Sequence, residues 1–297
     1  MKTCVIFNPA ARGEKAAKFR DHLSALSAEC TLKPTFSAGG GRALAADAVR
    51  EGFEVVVAAG GDGTVNEVLN GIGDVPDGYT RTRFGVLPLG TINVFARELR
   101  MPSDFTRAWA VIKQGRETII DLPQVEFTAN EKTERRFFAQ IAGAGWDSKA
   151  VELVNWEYKK KIGALAYVWS GLQALARPLP QITVNDGTRT LAGELVIIGN
   201  GQFYGGNWRL FPFADLRDGV LEISIFPKLD FERILRGTWG LFTNRLYETG
   251  AVQHLKAEKF TLSSSAQVPF HVEGENIGHL PATFSVQREA LKVIVPQ

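Results

Sequence analysis

An α/β domain built on a parallel sheet, followed by a mainly β domain, is the architecture this 297-residue sequence predicts. Up to about Asp121, short apolar runs alternate with amphipathic stretches of helical period, the pattern of a parallel sheet with helices on both faces. Beyond Asp121, strand-like runs follow one another with only two helical interruptions, the pattern of a separate β domain. The boundary falls near Leu122-Pro123, giving domains of residues 1–122 and 123–297.

The elements follow in order. Thr3 to Phe7 reads as a strand, Asn8 to Gly13 as a turn, and Glu14 to Ala28 as a helix with Ala17, Phe19, Leu23 and Leu26 on or near one face. Thr31 to Phe36 is a second strand, Ser37 to Gly41 a loop, and Arg42 to Glu51 an alanine-rich helix. Glu54 to Ala59 is a buried strand, and Val65, Val68, Leu69 and Ile72, at helical spacing, mark the helix after the turn that follows it. Phe84 to Leu87 is a strand, Pro88 to Thr91 a turn, and Asn93 to Leu99 opens another helix. In the second half the strand-like runs are Gln124 to Phe127, Arg136 to Ala142, Ile182 to Val184, Leu191 to Gly199, Val220 to Phe226, Lys259 to Ser263, Val268 to Glu273 and Thr283 to Val295. The two helical regions lie at about Trp146 to Leu175 and at Phe231 to Thr243.

Gly60-Gly61-Asp62-Gly63-Thr64-Val65-Asn66-Glu67 sits between a buried strand and a helix. Glycines there let backbone N–H groups approach an anion, and a helix start adds unpaired N–H groups and a positive dipole end. Thr64 and Glu67 have capping-box spacing. The turn therefore reads as a phosphate cradle, yet it is neither a P-loop nor the Gly-x-Gly-x-x-Gly fingerprint of dinucleotide folds. Ligands of open α/β sheets bind at the carboxyl ends of strands. Asn8, Ser37, the Gly60–Thr64 turn and Thr91 all fall at such ends, so one cleft can collect them.

A formal charge of +2 is too small to argue for a nucleic-acid partner, and none is expected. No apolar run approaches a membrane span, and the apolar stretch at the N-terminus is too short for a signal peptide. Cys4 and Cys30 lack metal-type spacing. A cytoplasmic location is the expectation.

Five further motifs carry two readings each. Pro88-Leu89-Gly90-Thr91-Ile92-Asn93 is a structural turn or, beside the first glycine turn, a second wall of a nucleotide site. Gly199-Asn200-Gly201-Gln202-Phe203-Tyr204-Gly205-Gly206 is a loop facing the cleft or a bulged β corner. Asp215 and Asp218 form a turn entering a strand or a site for a hard cation such as Mg²⁺. His271, Glu273 and Glu275 alternate; if the strand persists they share one face, with an acid able to act as general base, and otherwise they make a solvated acidic turn. Trp156 to Leu172 is an aromatic and basic helix, packed on the β domain or touching an anionic membrane.

Taken together these motifs resemble the diacylglycerol kinase catalytic domain family, which also holds sphingosine and ceramide kinases. The resemblance rests on Asn8-Pro9, Gly60 to Val68, Pro88 to Asn93, Gly143-Ala144-Gly145-Trp146-Asp147, Gly199 to Gly206, Asp218 to Leu221 and Glu273-Gly274-Glu275, in family order over nearly the whole chain. The Gly-Gly-Asp-Gly-Thr core is shared with NAD kinases, whereas the downstream Asn-Glu-Val and the Asn-Gly-x-x-Tyr-Gly-Gly loop point to the lipid branch.

The resemblance implies a two-layer β domain and an active site in the interdomain cleft. It implies that Gly60, Gly61, Asp62, Gly63, Thr64, Asn66 and Glu67 cradle ATP phosphates, with Asn8, Ser37, Gly90 and Thr91 as further nucleotide contacts. It makes Asp215, Asp218 and the Val220 carbonyl a structural Mg²⁺ site, Glu273 the general base, and Asp147 a group facing the lipid head group. Three positions depart from the family: Glu273 replaces Asp, Val94 replaces an Asp found in many bacterial relatives, and Ala10-Ala11-Arg12-Gly13 replaces Ser-Gly, with Arg12 a possible phosphate contact. The implied reaction is γ-phosphoryl transfer from ATP to a lipid hydroxyl, with Asp62 and Glu273 catalytic and transient contact with a membrane, at its inner face. The alternatives are a kinase of a soluble substrate such as NAD, or a nucleotide-binding module without catalysis.

Overall fold

In the computed structural model, which describes residues 1–9, 14–146 and 179–297, Thr3–Phe7 is buried at every position as strand β1. The first half then runs α1 (Glu14–Asp21), α2 (Leu23–Glu29), β2 (Thr31–Pro34), α3 (Gly40–Arg50), β3 (Val55–Gly60), α4 (Asp62–Gly73), α5 (Gly78–Arg81), β4 (Arg83–Pro88), α6 (Val94–Glu98) and α7 (Phe105–Gln114). Strands pair in the order β2-β1-β3-β4, all parallel, as the βα alternation predicts. α3 packs on α4, and α1 and α7 pack together through Phe19 and Phe105 at 5.6 Å between ring centroids. The α3–α4 contact requires Gly71, where a Cβ would lie 2.1 Å from the Arg42 carbonyl oxygen.

Two local expectations change. The helix expected over Glu14 to Ala28 breaks at His22, whose Nδ1 bonds the Lys18 carbonyl oxygen at 2.8 Å while its N–H turns to Phe19 three residues back. The helix expected from Arg42 starts at Gly40, because Gly39 takes a left-handed φ of 77° and turns the loop into it.

The second half contributes β5 (Arg116–Ala129), β6 (Lys132–Phe137), β7 (Ile141–Gly145), β8 (Ile182–Asn185), β9 (Thr190–Gly193), β10 (Leu195–Gly199), β11 (Phe203–Tyr204), β12 (Trp208–Arg209), β13 (Leu221–Phe226), α8 (Phe231–Thr243), β14 (Gln253–Ala257), β15 (Lys259–Ser263), β16 (Pro269–Val272), β17 (Glu275–His279) and β18 (Ala282–Val295). An antiparallel sheet ordered β14-β13-β10-β7-β16-β17 faces β5, β8, β15 and β18 across a core that includes Phe127, Phe260, Phe270 and Phe284. This is the expected two-layer β domain. The run Leu191 to Gly199 splits at Glu194 into β9 and β10, which lie in different sheets. The helix expected at Trp146 to Leu175 lies outside the described residues beyond its first position, as do Asp147 and Arg12.

β5 and β18 are the elements that join the halves. β18 pairs antiparallel with β5 along both strands and also parallel with β4, so the first sheet continues into the β domain. The position expected as a boundary, Leu122-Pro123, lies inside β5. Leu291, Val293, Ile294 and Val295 pack in the same core as β1, β3 and β4. Where the ribbon passes from one half to the other its register shifts between Gln287 and Leu291, and Glu289 takes a φ of 49°. Asp121 fills that bulge: its Oδ1 accepts from Glu289 N at 2.8 Å and its Oδ2 from Gly219 N at 2.7 Å. A carboxylate buried to 2% exposure is tolerated because both oxygens are bonded.

Candidate active site

Two glycine turns meet at the carboxyl ends of β3 and β4. The N–H groups of Leu89 and Gly90 donate to the Gly60 carbonyl oxygen at 3.0 and 3.2 Å. A Cβ on Gly90 would lie 2.5 Å from the Gly61 Cα, so the main chains abut as only glycines allow. Gly60 likewise leaves room for Thr64, whose Oγ1 would lie 2.3 Å from a Cβ there. Asn93, at a φ of 56°, braces the second turn: its Oδ1 accepts from Gly90 N at 2.9 Å and its Nδ2 donates to the Gly90 carbonyl oxygen at 2.6 Å. Thr91 is exposed at the rim, with Asn8 and Ser37 exposed beyond the ends of β1 and β2.

Asp62 opens α4 and reaches the start of α6, where its Oδ1 accepts from Phe95 N at 3.3 Å. Burial raises its pKa, opposed by the amides of Phe95, Val94 and Asn93. The capping box expected between Thr64 and Glu67 does not form, because the N-cap of α4 is Gly61 and Glu67 turns to another loop. Its two oxygens accept from Gly39 N at 3.0 Å and Gly41 N at 2.8 Å, holding the loop that leads into α3. Glu67→Ala should strip both amides of their acceptor and cost about 1–3 kcal/mol, read as a lower urea midpoint with unchanged slope. Asn66 accepts from Asn70 through its side-chain oxygen, so it faces along α4.

Glu273 comes from the opposite sheet. Of the two readings of His271, Glu273 and Glu275 the turn holds: the strand ends at Val272, and Glu273 and Gly274, with φ of 51° and 78°, form a hairpin turn between β16 and β17. Glu275 pairs with Val272 and does not share a face with Glu273 as an extended strand would have it. The run Arg136 to Ala142 also breaks, and residues 138–140 curve around the Glu273 side chain. Its Oε1 accepts from Gln140 N at 2.7 Å, Ala139 N at 2.9 Å and Ile141 N at 3.4 Å. Oε2 has no hydrogen-bond partner among the described residues. Burial pushes the Glu273 carboxyl up to about 7 against the pull of the Gln140 amide, and the charge of Asp62 adds to the rise. The glycine turn and the hairpin therefore bring two carboxylates to one place.

Residues outside the two glycine turns and the hairpin fix this arrangement. Asn70 exchanges two bonds of 2.9 Å with the Phe137 main chain, tying α4 to the start of the Glu273 cradle. Glu98 Oε2 accepts from Gln202 N at 2.9 Å, Gln140 Nε2 at 3.0 Å and Phe203 N at 3.3 Å, and Asn200 Nδ2 donates to the Ala139 carbonyl oxygen at 3.0 Å. The Gly199–Gly206 loop thus lies beside the cradle, and its β11–β12 hairpin forms the adjoining wall. Asn200 belongs to the glycine-rich motif read in the sequence, whereas Asn70, Glu98 and Gln140 are lone polar groups there, and the burial of Asn70 and Gln140 is what marks them.

The charge of Asp62 raises the Glu273 pKa, and two carboxylates at one cleft are oxygen donors of the kind a hard divalent cation takes. The pair Asp215 and Asp218 differs. Burial raises the Asp218 pKa, and the Lys256 ammonium stands 3.7 Å from its Oδ2 and 2.6 Å from Glu222 Oε1. Among the described residues no group of three or more His, Cys, Asp or Glu side chains converges on a metal position. Val220 can add only its main-chain carbonyl.

Residues 2–125 match the diacylglycerol kinase catalytic domain, and residues 140–295 match the YegS C-terminal NAD kinase beta sandwich-like domain. The chain is 30% identical over 283 residues to a diacylglycerol kinase of Staphylococcus carnosus (strain TM300), covering 91% of this chain and 85% of the relative. It is 27% identical to a diacylglycerol kinase of Bacillus subtilis (strain 168), covering 99% and 96%. A crystal structure of a diacylglycerol kinase from Bacillus anthracis str. Sterne shares the fold at a TM-score of 0.71 and 18% identity, covering 99% of this chain and 96% of that one. The chain belongs to the diacylglycerol kinase family of lipid kinases, with the catalytic domain and the YegS-type β domain in one polypeptide.

Proposed function

We propose that the protein transfers the γ-phosphoryl group of ATP to the hydroxyl of diacylglycerol or a closely related lipid. The observation that carries the reading is Glu273 Oε2, unpaired among the described residues, on a carboxyl that burial and the charge of Asp62 push up to about 7, across from two abutting glycine turns. Backbone N–H groups of the Gly60–Thr64 turn bind the phosphates, and Gly90 and Thr91 border them. Glu273 Oε2 accepts the proton of the attacking hydroxyl, while the three amides on Oε1 keep the side chain aimed. Mg²⁺, when bound, neutralises charge on the phosphates; Asp62 is the residue that would hold its water shell. Asp147 is proposed to face the head group; at Asp215 and Asp218 the Arg217 and Lys256 cations stand where a structural ion was expected, and no ion is proposed there.

Purified protein with labelled ATP should phosphorylate diacylglycerol and leave NAD untouched. Asp62→Asn should lower that turnover by about a hundredfold or more while the protein stays folded. Phosphorylated NAD as the main product would replace the lipid reading with the soluble-substrate one. ATP binding with no transfer to any lipid would leave a nucleotide-binding module.

A further inference from the structure

We propose that the outward face of α8 is the surface on which the protein rests against a lipid bilayer. This rests on the lipid-substrate reading above and adds to it the place where the enzyme meets its substrate's phase. Phe231, Leu235, Trp239 and Phe242 fall on one stripe of α8 and are 83, 62, 69 and 66% exposed. The opposite face is made of the smallest side chains: Gly237 and Gly240 are buried, and a Cβ on Gly240 would lie 2.7 Å from the Leu246 Cα. The helix thus sits on the body by its glycines and turns its largest apolar groups to solvent, the reverse of what packing on the protein's own core requires.

The chemistry of the stripe fits a bilayer interface. Trp and Phe insert at headgroup depth, and basic residues beside them meet anionic lipid. Arg233 and Arg236 are paired with Asp230 and Glu232 of the same segment. Exposed Lys228, just before the helix, and exposed Arg209, on β12, add basic groups beside the stripe, their charges acting on Asp230 and Glu98. The stripe is also continuous with the candidate site. Trp208 stacks edge-on against Phe242 at 4.8 Å, and Trp208 belongs to the hairpin whose other strand, Phe203–Tyr204, is bound to Glu98 and Gln140 beside the Glu273 cradle. A bilayer touching α8 therefore lies against the wall of the cleft. Among the described residues no helix is long and apolar enough to cross a membrane.

The test compares the full chain with its Leu235→Gln/Trp239→Gln variant on vesicles of phosphatidylcholine and phosphatidylglycerol in equal parts. The wild type should co-sediment, and the variant should bind at least about tenfold more weakly with an unchanged melting temperature. Turnover of a monomeric short-chain diacylglycerol should stay within about twofold of wild type, while turnover of long-chain diacylglycerol in the vesicles falls about as much as binding. Equal vesicle binding by both proteins, or none by the wild type, overturns the docking. A lower melting temperature in the variant overturns it too, because the stripe is then covered by the chain itself. A wild-type dimer that becomes monomeric in the variant assigns the face to a second copy instead. Vesicle binding lost in the variant, with no diacylglycerol phosphorylated by either protein, keeps the docking and removes only the substrate reading.

Discussion

Glu273→Gln is expected to lower phosphoryl transfer by about 10²–10⁴-fold and, at about pH 8, to make the protein more stable. The first effect follows from the loss of a proton acceptor at Oε2, with Gln retaining an oxygen for the cradle amides. The second follows from the raised pKa. A carboxyl moved from 4.5 to about 7 keeps its proton in the folded state after the unfolded chain has released it. Folding stability therefore falls as pH rises across that window and levels off above it. For a half-buried group the cost above about pH 7 is roughly 1–3 kcal/mol, which the neutral Gln does not carry. In the wild type, kcat/KM should rise about tenfold per pH unit up to about pH 7 as Glu273 deprotonates. Melting curves at acid and alkaline pH, set beside the rate profile, check both halves. Wild-type turnover in the variant would remove Glu273 from the reaction, and equal melting temperatures would remove the buried charge.

Gly90→Ala is expected to separate the two glycine turns. The new methyl would lie 2.5 Å from the Gly61 Cα and 2.7 Å from Asn93 Oδ1, both fixed by the main chain or by paired bonds. Such overlap costs about 1–3 kcal/mol in a packed region. The displaced turn should also weaken ATP binding by about tenfold or more, because the amides proposed to bind phosphate lose their alignment. Calorimetric titration with ATP and a denaturant melt measure the two effects separately. Gly63→Ala is the matched control: nothing lies within 4 Å of a Cβ there, so its folding stability should be unchanged or slightly higher. A Gly90→Ala protein that binds ATP as tightly as wild type would show that the second turn is not part of the nucleotide site.

Local pattern carried the sequence reading furthest where one segment decides its own structure. Phe231 to Thr243 is a helix over the residues expected, because Asp230 caps it and Asn244 ends it in a left-handed conformation. The glycine turn is equally local. What the sequence could not reveal depends on distant partners. The period of β18 marks a strand but not its neighbours, so its return to β4 was illegible. The alternation through Glu275 left strand and turn both open, because a Glu at positive φ gives no turn signal of the Asn-Gly kind. Glu98, Gln140 and Asn70 had no motif to announce them, since their roles come from main-chain groups brought near by the fold.

The ribbon of β5 and β18 also bears on the protein's synthesis. β18 comes last in chain order, yet its end completes the core around β1, β3 and β4, and Asp121 waits for Glu289 to satisfy its carboxylate. The first half therefore lacks part of its core until β18 has been made. It stays open along β4 until the β domain has been made, so both halves mature together.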